Sequence, residues 1–350
     1  MSVYTTDTKI KLHNKTSMVE VYLHGGAITD FHLSDNPVNP LSFHFSKEQM
    51  PANNKAGAAY QGHFICAGRW GEPSAGEVNA GIPNHGEPAN IEWQLNETAD
   101  THLSMEVTAS LEGLHIRRRM QLDPKAAICH VEETIKNIHP LGRLYQFVQH
   151  PTIAAPFLNE TTIINCNATL GFDYKYMDTP NDHKVNWPLV SDESRSQIDL
   201  RNSQQDYNSV FSFIVNSEDH FGWVTAYSPE HNLIVGYLWN RKDYPWINLW
   251  QHFENGVIKY RGLEFGTTGL HQPFRKIIEN NNLEVFGEPA FAYIDAGEEL
   301  VKGYTFFLIS VKKGFNAVEK IEINNGMISV VENGSKDRIE IGRLNFYKHQ

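Results

Sequence analysis

The stretch Ile116-Arg117-Arg118-Arg119-Met120-Gln121-Leu122 decides the fold class. Ile116, Met120 and Leu122 share one face and Arg117, Arg119 and Gln121 the other, the two-residue period of a half-buried strand. Other short β-rich runs fall at residues 19–23, 103–109, 128–135, 210–215, 233–239 and 304–311, separated by Gly, Asn, Asp and Pro. Few segments keep a helical period for three turns. Many strands at this spacing predict an all-β sandwich or barrel, and argue against alternating strand–helix units.

At 350 residues the chain can bury an ample core without disulfides or a structural metal. No internal repeat, low-complexity tract or obvious linker divides it, so one domain over residues 1–350 is expected. Residues 315–350 are expected to add a C-terminal hairpin that turns at Asn324-Asn325-Gly326. Two stretches break the strand rhythm. Residues 46–89 are rich in Gly, Pro, Asn and His and carry His63, Arg69, Trp70 and His85. Long stretches of that kind inside a domain usually serve function or are disordered. Residues 175–206 are more polar and read as a surface insertion.

The formal net charge is −11, which argues against nucleic acid or an anionic membrane as partner, since both attract basic surfaces. Cys66, Cys129 and Cys166 are odd in number and form no C-x-x-C pair, the pattern of buried, reduced thiols. The first 15 residues are polar, and no stretch approaches the roughly 20 apolar residues of a membrane span. The expected location is the cytoplasm. Oligomeric state is not legible.

Five places offer chemistry. His85, in Ile82-Pro83-Asn84-His85-Gly86-Glu87-Pro88, is a loop histidine that either reaches a ligand or is satisfied by backbone. Arg69, in Gly68-Arg69-Trp70-Gly71, either bonds two adjacent hydroxyls with its guanidinium fork or pairs with a carboxylate. In Tyr145-Gln146-Phe147-Val148-Gln149-His150-Pro151, alternation puts Gln146, Val148 and His150 on one face and Phe147 with Gln149 on the other. Pro151 is expected to end regular pairing there, leaving His150 either facing a cleft or filling a sheet edge. Glu264, between Leu263 and Phe265, is either a pocketed carboxylate with a raised pKa or an outward strand residue. Trp246 to His252, with Asn248 and Trp250, supplies the aromatic walls and placed amides of a small-molecule pocket, or of an ordinary core. His63, His85 and His150 can in principle converge on a metal, but no short-spaced ligand pair such as H-x-x-x-H is present. No motif for a metal, nucleotide or redox cofactor is visible, and none is expected.

The order of these elements resembles the galactose mutarotase and hexose-phosphate epimerase superfamily over residues 19–311. It comprises Gly25-Gly26-Ala27-Ile28, Arg69 in its Gly-rich loop, and Pro83-x-His85-Gly86 before a strand ending in Trp93. His150, Trp239-Asn240, Glu264 and Gly297-Glu298-Glu299-Leu300 before the strand at 304–311 follow. The resemblance implies a large twisted β-sandwich, a supersandwich, with Glu264 as base and His150 as acid. It further implies sugar-binding roles for Arg69 and His85. His63, Asn248 and Trp250 are added as candidate substrate contacts. The chain departs from the family pattern after His85-Gly86, where Glu87-Pro88-Ala89 replaces an aromatic and an arginine, and after His150. The family's site aspartate has no clear counterpart; Asn248 or Gln251 occupies that region.

The function this implies is interconversion of the α and β anomers of a sugar or substituted sugar, a small-molecule carbohydrate, by acid–base ring opening. Two alternatives are a polysaccharide lyase or hydrolase on the same fold and a non-catalytic carbohydrate-binding protein.

Overall fold

A computed structural model describes residues 8–54, 56–191, 197–203, 208–335 and 337–344. Six strands build the pocket and the core beneath it: β1 (His63–Gly68), β2 (Leu114–Leu122), β3 (Ile128–Asn137), β4 (Arg143–Ala154), β5 (Trp246–Glu254) and β6 (Val257–Gly266). An eleven-stranded front sheet contains the run β1-β4-β6-β5, and an eight-stranded back sheet contains β2 beside β3. Both sheets are antiparallel, as the sequence pattern required for a sandwich.

β2 carries the pattern that set the fold class. Leu114, Ile116, Met120 and Leu122 are buried in the core between the sheets, and Arg117 and Arg119 are exposed. From the front sheet, Val19, Phe31, Ile65, Phe147, Leu249 and Leu263 meet them there. A second apolar layer lies behind the back sheet. The strands Val318–Asn324 and Met327–Glu332 form a hairpin, with Asn325 and Gly326 at φ 51° and 77° as a tight two-residue turn demands. A third strand, Arg338–Arg343, joins them, and Ile328, Val330 and Ile341 pack on Ile128, Trp223, Ile234 and Phe307.

Three expectations need correction. Residues 46–89 are not structureless, because β1 lies inside them. All six β1 residues are buried, so neither face meets water and no alternation marks the strand. A short helix, Ala75–Asn79, follows; the Ser74 hydroxyl accepts from the Glu77 N–H while the Glu77 carboxylate accepts from the Ser74 N–H. Pro151 does not end its strand: β4 runs on to Ala154, with Pro151 opposite His63. The polar stretch 175–206 holds the short strands Val185–Asn186, Leu189–Ser191 and Gln197–Asp199, while residues 192–196 and 204–206 lie outside the described residues.

Arg118 shares the buried face of β2, an ionised side chain among Ile116 and Met120. Its guanidinium donates from Nε and Nη2 to Glu133 Oε1 on β3 at 2.8 and 2.7 Å, and from Nη1 to the Gly26 carbonyl. It also lies 4.9 Å from the Trp93 ring. Gln149 Nε2, from β4, donates to the other Glu133 oxygen, and Gln149 Oε1 faces His63 Nε2 at 3.1 Å. This chain of contacts ties the back sheet to the strand beneath the pocket. Removing one partner of a buried pair strands the other charge, a cost of about 3–5 kcal/mol. Arg118→Met is therefore expected to lower urea-measured stability by about that amount, and Arg118→Met/Glu133→Leu to lower it less. A double variant as unstable as the sum of its singles would contradict this account.

Candidate active site

β4 lies between β1 and β6, and its alternation places His150 on the outer face of the front sheet. On one side Phe64 of β1 pairs with His150. On the other, the β6 register runs unchanged from Gly262↔Thr152 to Phe265↔Gln149, which sets Glu264 opposite His150. Ladder pairs are missing at Leu263 and Glu264, next to Pro151, which has no N–H to contribute. On β5, Asn248 stands opposite Glu264 and Trp250 opposite Gly262.

The two side chains meet. His150 Nε2 lies 3.2 Å from Glu264 Oε1, with His150 7% and Glu264 2% exposed. The indole N–H of Trp70 donates to Glu264 Oε2 at 2.9 Å, and the Trp70 backbone N–H donates to Gln146 Oε1 at 2.8 Å. His150 Nδ1 is 3.0 Å from the Thr152 hydroxyl, and the Phe64 ring stacks on the imidazole at 4.2 Å. Each catalytic candidate is thus fixed by a second group that holds its orientation.

Above the pair is a pocket of about 260 Å³, walled by Phe43, Phe45, Phe64, Trp70, Tyr174 and Trp250. Its ionisable side chains include Glu264, His85, His150 and His271, and among the described residues no Lys or Arg lines it. Burial dominates their protonation. It raises the Glu264 carboxyl well above the usual carboxylate range, with the Trp70 N–H opposing. It pushes His150 down to about 3 and His271 to about 4. His85 is lowered by burial and by the neighbouring His150 and His271.

His85 occupies a left-handed backbone position, φ 60°, rare for a residue with a side chain. Its N–H donates to the Gly71 carbonyl and its carbonyl accepts from the Ala67 N–H, which hold the loop against β1. The Gly71 N–H donates to His85 Nδ1 at 3.2 Å, and the Cys66 thiol lies 3.1 Å from the same nitrogen. Nδ1 is therefore an acceptor, and the neutral ring keeps its proton on Nε2 as a donor.

Of the seven side chains singled out from sequence, the structure brings Glu264, His150, His85 and Trp250 together at this pocket. The other three sit elsewhere. Arg69 is taken up by Glu77 at 2.6 Å, with Glu112 at 4.0 Å and its guanidinium 4.5 Å from the Phe274 ring, so its fork is committed to protein. His63 has the opposite parity to Phe64 and points into the core, where it meets Gln149, Tyr237 and Tyr304. It cannot converge with His85 and His150 on one ion. Asn248 shares the Glu264 face but is fully buried, its Nδ2 donating to the Thr268 carbonyl at 3.1 Å. Gln251 falls on the other face of β5. Sequence reasoning gives no role to Trp70, Thr152, Phe64 or His271. His271, just before Gln272-Pro273, carries the same cue as His85, a histidine beside turn-forming residues.

No protein-family model matches the chain, and no curated protein matches its sequence. Solved structures do. The chain is similar to a galactose mutarotase related enzyme from Lactobacillus acidophilus, at 12% identity over 87% of this chain and 98% of that one, with TM-score 0.62. A galactose mutarotase-like protein from Clostridium acetobutylicum matches at 12% identity over 89% and 98%, with TM-score 0.62. The fold is galactose mutarotase-like. A Klebsiella pneumoniae protein provisionally described as an aldose 1-epimerase shares this fold, at 12% identity over 87% of this chain and 80% of that one, with TM-score 0.60. In the galactose mutarotase-like sandwich seen here the pocket lies on the outer face of the front sheet, with the residues 46–89 segment supplying Tyr60, Phe64, Trp70 and His85 to its walls. No helix among the described residues is long and apolar enough to cross a membrane.

The buried imidazoles make stability depend on pH in a defined direction. His63, His85, His130, His150 and His271 all have lowered pKa values in the folded chain. Between their folded values and about 6.5 the unfolded chain binds their protons and the folded chain does not, so stability falls as pH drops through that window. Glu264 and Glu112, the latter raised to about 7, act in the opposite sense, since their contribution is lost as pH rises above the carboxylate range. Glu92, raised by burial, joins those two, and five imidazoles outweigh three carboxyls, at about 1.4 kcal/mol per pH unit for each unbalanced proton. The urea midpoint is expected to fall steeply from pH 6.5 to pH 5. A level midpoint over that interval would refute the balance.

Proposed function

We propose that the chain is an aldose 1-epimerase-type enzyme that interconverts sugar anomers by ring opening, with Glu264 and His150 as its acid–base pair. The observation that carries this reading is their 3.2 Å contact on the floor of a small aromatic-walled pocket. The carboxylate of Glu264 takes the C1 hydroxyl proton while protonated His150 gives its proton to the ring oxygen. The C1–O bond to the ring breaks, C1 becomes a carbonyl, and rotation about C1–C2 precedes closure by the reverse transfers. Opening leaves a neutral carboxyl and a neutral imidazole, the state that burial favours. The pair therefore works with a single shared proton, which the short contact lets pass between the two. On this reading His85, which lines the pocket, donates from Nε2–H to a sugar oxygen. A hydrolase reading is disfavoured because hydrolysis usually employs two carboxyl groups, and among the described lining residues Glu264 is the one carboxylate. A purely binding role gives no reason for a buried carboxyl beside a buried imidazole, both strongly perturbed.

The test is polarimetry on freshly dissolved α-anomers of D-glucose and D-galactose, with the spontaneous rate subtracted. Glu264→Gln and His150→Gln are each expected to lose about 10²–10⁴-fold in kcat/KM. Variants as active as the parent would reject the assignment.

The pH profile offers a separate check. The one-proton state ends on the acid side when His150 also protonates, near pH 3, and on the alkaline side when the raised Glu264 loses its proton. We expect kcat/KM to show no acid limb on descending to pH 5. An acid limb centred near 6.5, the value of a free imidazole, would contradict it.

A further inference from the structure

Arg69 and Trp70 lie between Gly68 and Gly71, both in the left-handed region at φ 85° and 93°. This turn sends the two side chains to different places. Trp70, 2% exposed, lines the pocket and donates its indole N–H to Glu264 Oε2 at 2.9 Å. Arg69 turns to the helix Ala75–Asn79, where Nη2 lies 2.6 Å from Glu77 Oε1. The other Glu77 oxygen accepts the Ser74 N–H, so one carboxylate both caps the helix and holds the turn. None of the helix residues is buried, and a helix of five residues has little stability of its own. The guanidinium also lies 4.5 Å from the ring of Phe274, the first residue of the helix Phe274–Glu279. A further carboxyl, Glu112, is 4.0 Å from Arg69 Nη2. Burial pushes it up to about 7, and in its neutral form it leaves the guanidinium to Glu77.

We propose that Arg69 is a positioning residue, whose pairing with Glu77 braces the Gly68–Gly71 turn and so keeps the Trp70 indole N–H on Glu264. This rests on the proposed function only in taking Glu264 as the group that moves the proton. Gln146 holds the Trp70 backbone and His85 holds Gly71, while the Arg69 side chain ties the same turn to Glu77. A hydrogen bond weakens steeply as its length or angle slips, so a loosened turn would leave the buried Glu264 carboxylate without its donor. Less of the group would then be ionised and available as base. Arg69 itself is not among the described residues that line the pocket, so its loss is expected to slow the chemistry without weakening sugar binding.

Hydrogen exchange of the indole N–H groups, read by NMR on the full chain, tests the brace. The Trp70 signal is the one of seven indoles that Trp70→Phe removes. Trp239, buried with its N–H on the Tyr244 carbonyl, is the reference. Arg69→Met is expected to speed exchange at Trp70 by about tenfold or more with Trp239 unchanged, and Arg69→Lys, which keeps the charge, to stay within about threefold of the parent. Should Arg69→Met not fold, Glu77→Gln is expected to speed Trp70 by about threefold or more. Trp70 exchange at the parent rate, or Trp70 and Trp239 quickened alike, would overturn the proposal. In polarimetry Arg69→Met is expected to lower kcat by about fivefold or more at unchanged KM. A raised KM with Trp70 exchange unmoved would instead make Arg69 a sugar ligand and overturn the brace. Quickened Trp70 exchange in a protein without anomer turnover supports the brace and removes the epimerase reading. Turnover in a protein whose Trp70 is undisturbed by Arg69→Met removes the brace alone.

Discussion

The register of one strand governs the site. In β4, Gln149 faces the core and His150 faces the pocket, and the two exchange places if the strand slips by one residue. The same slip would bring Phe147 and the Gln149 amide outward and bury Val148 between the sheets. What forbids it is the polar chain of Arg118, Glu133, Gln149 and His63, whose partners are aligned in this register. A buried ion pair is often a poor source of stability, but it is a strict judge of alignment. Here it lies directly beneath the proposed catalytic strand.

Above that strand the electrostatics are set by exclusion of water more than by charge. Four imidazole or carboxyl groups share a small volume, and burial drives each toward its neutral form. Trp70 is the exception, since its N–H stabilises the Glu264 carboxylate. Such a pocket suits an uncharged ligand with many hydroxyls, which supplies hydrogen bonds without demanding a counter-ion.

The fold is largely legible, because alternation such as that of β2 survives in strands with one wet face. It is lost where both faces are covered, as in β1, which hides inside a stretch that reads as a loop. For the candidate site, parity within β4 gives the face His150 takes, and the Gly-flanked strand marks Glu264 as a candidate. Arg69 shows the limit. A guanidinium between glycines looks the same in sequence whether it meets a sugar or Glu77, and the decision lies with a helix that only folding brings near. His63 is misread because its parity relative to Phe64 has no meaning until the strand itself is seen. Pro151 reads as a terminator, yet β4 carries it in mid-strand, with the ladder to β6 interrupted there.

The three strands from Val318 onward have a consequence for how the protein behaves in water. Part of the back sheet is apolar on both sides: Trp223, Ile234, Leu238 and Phe307 point away from the main core and are covered by Phe315, Ile328, Val330 and Ile341. A chain cut before Val318 would keep its pocket and its sandwich but bare a broad greasy wall, of the kind that makes monomers stick to one another. Protection against self-adhesion is thus lodged on the opposite side of the sandwich from the pocket, where it can be lost without touching a single group that lines the pocket.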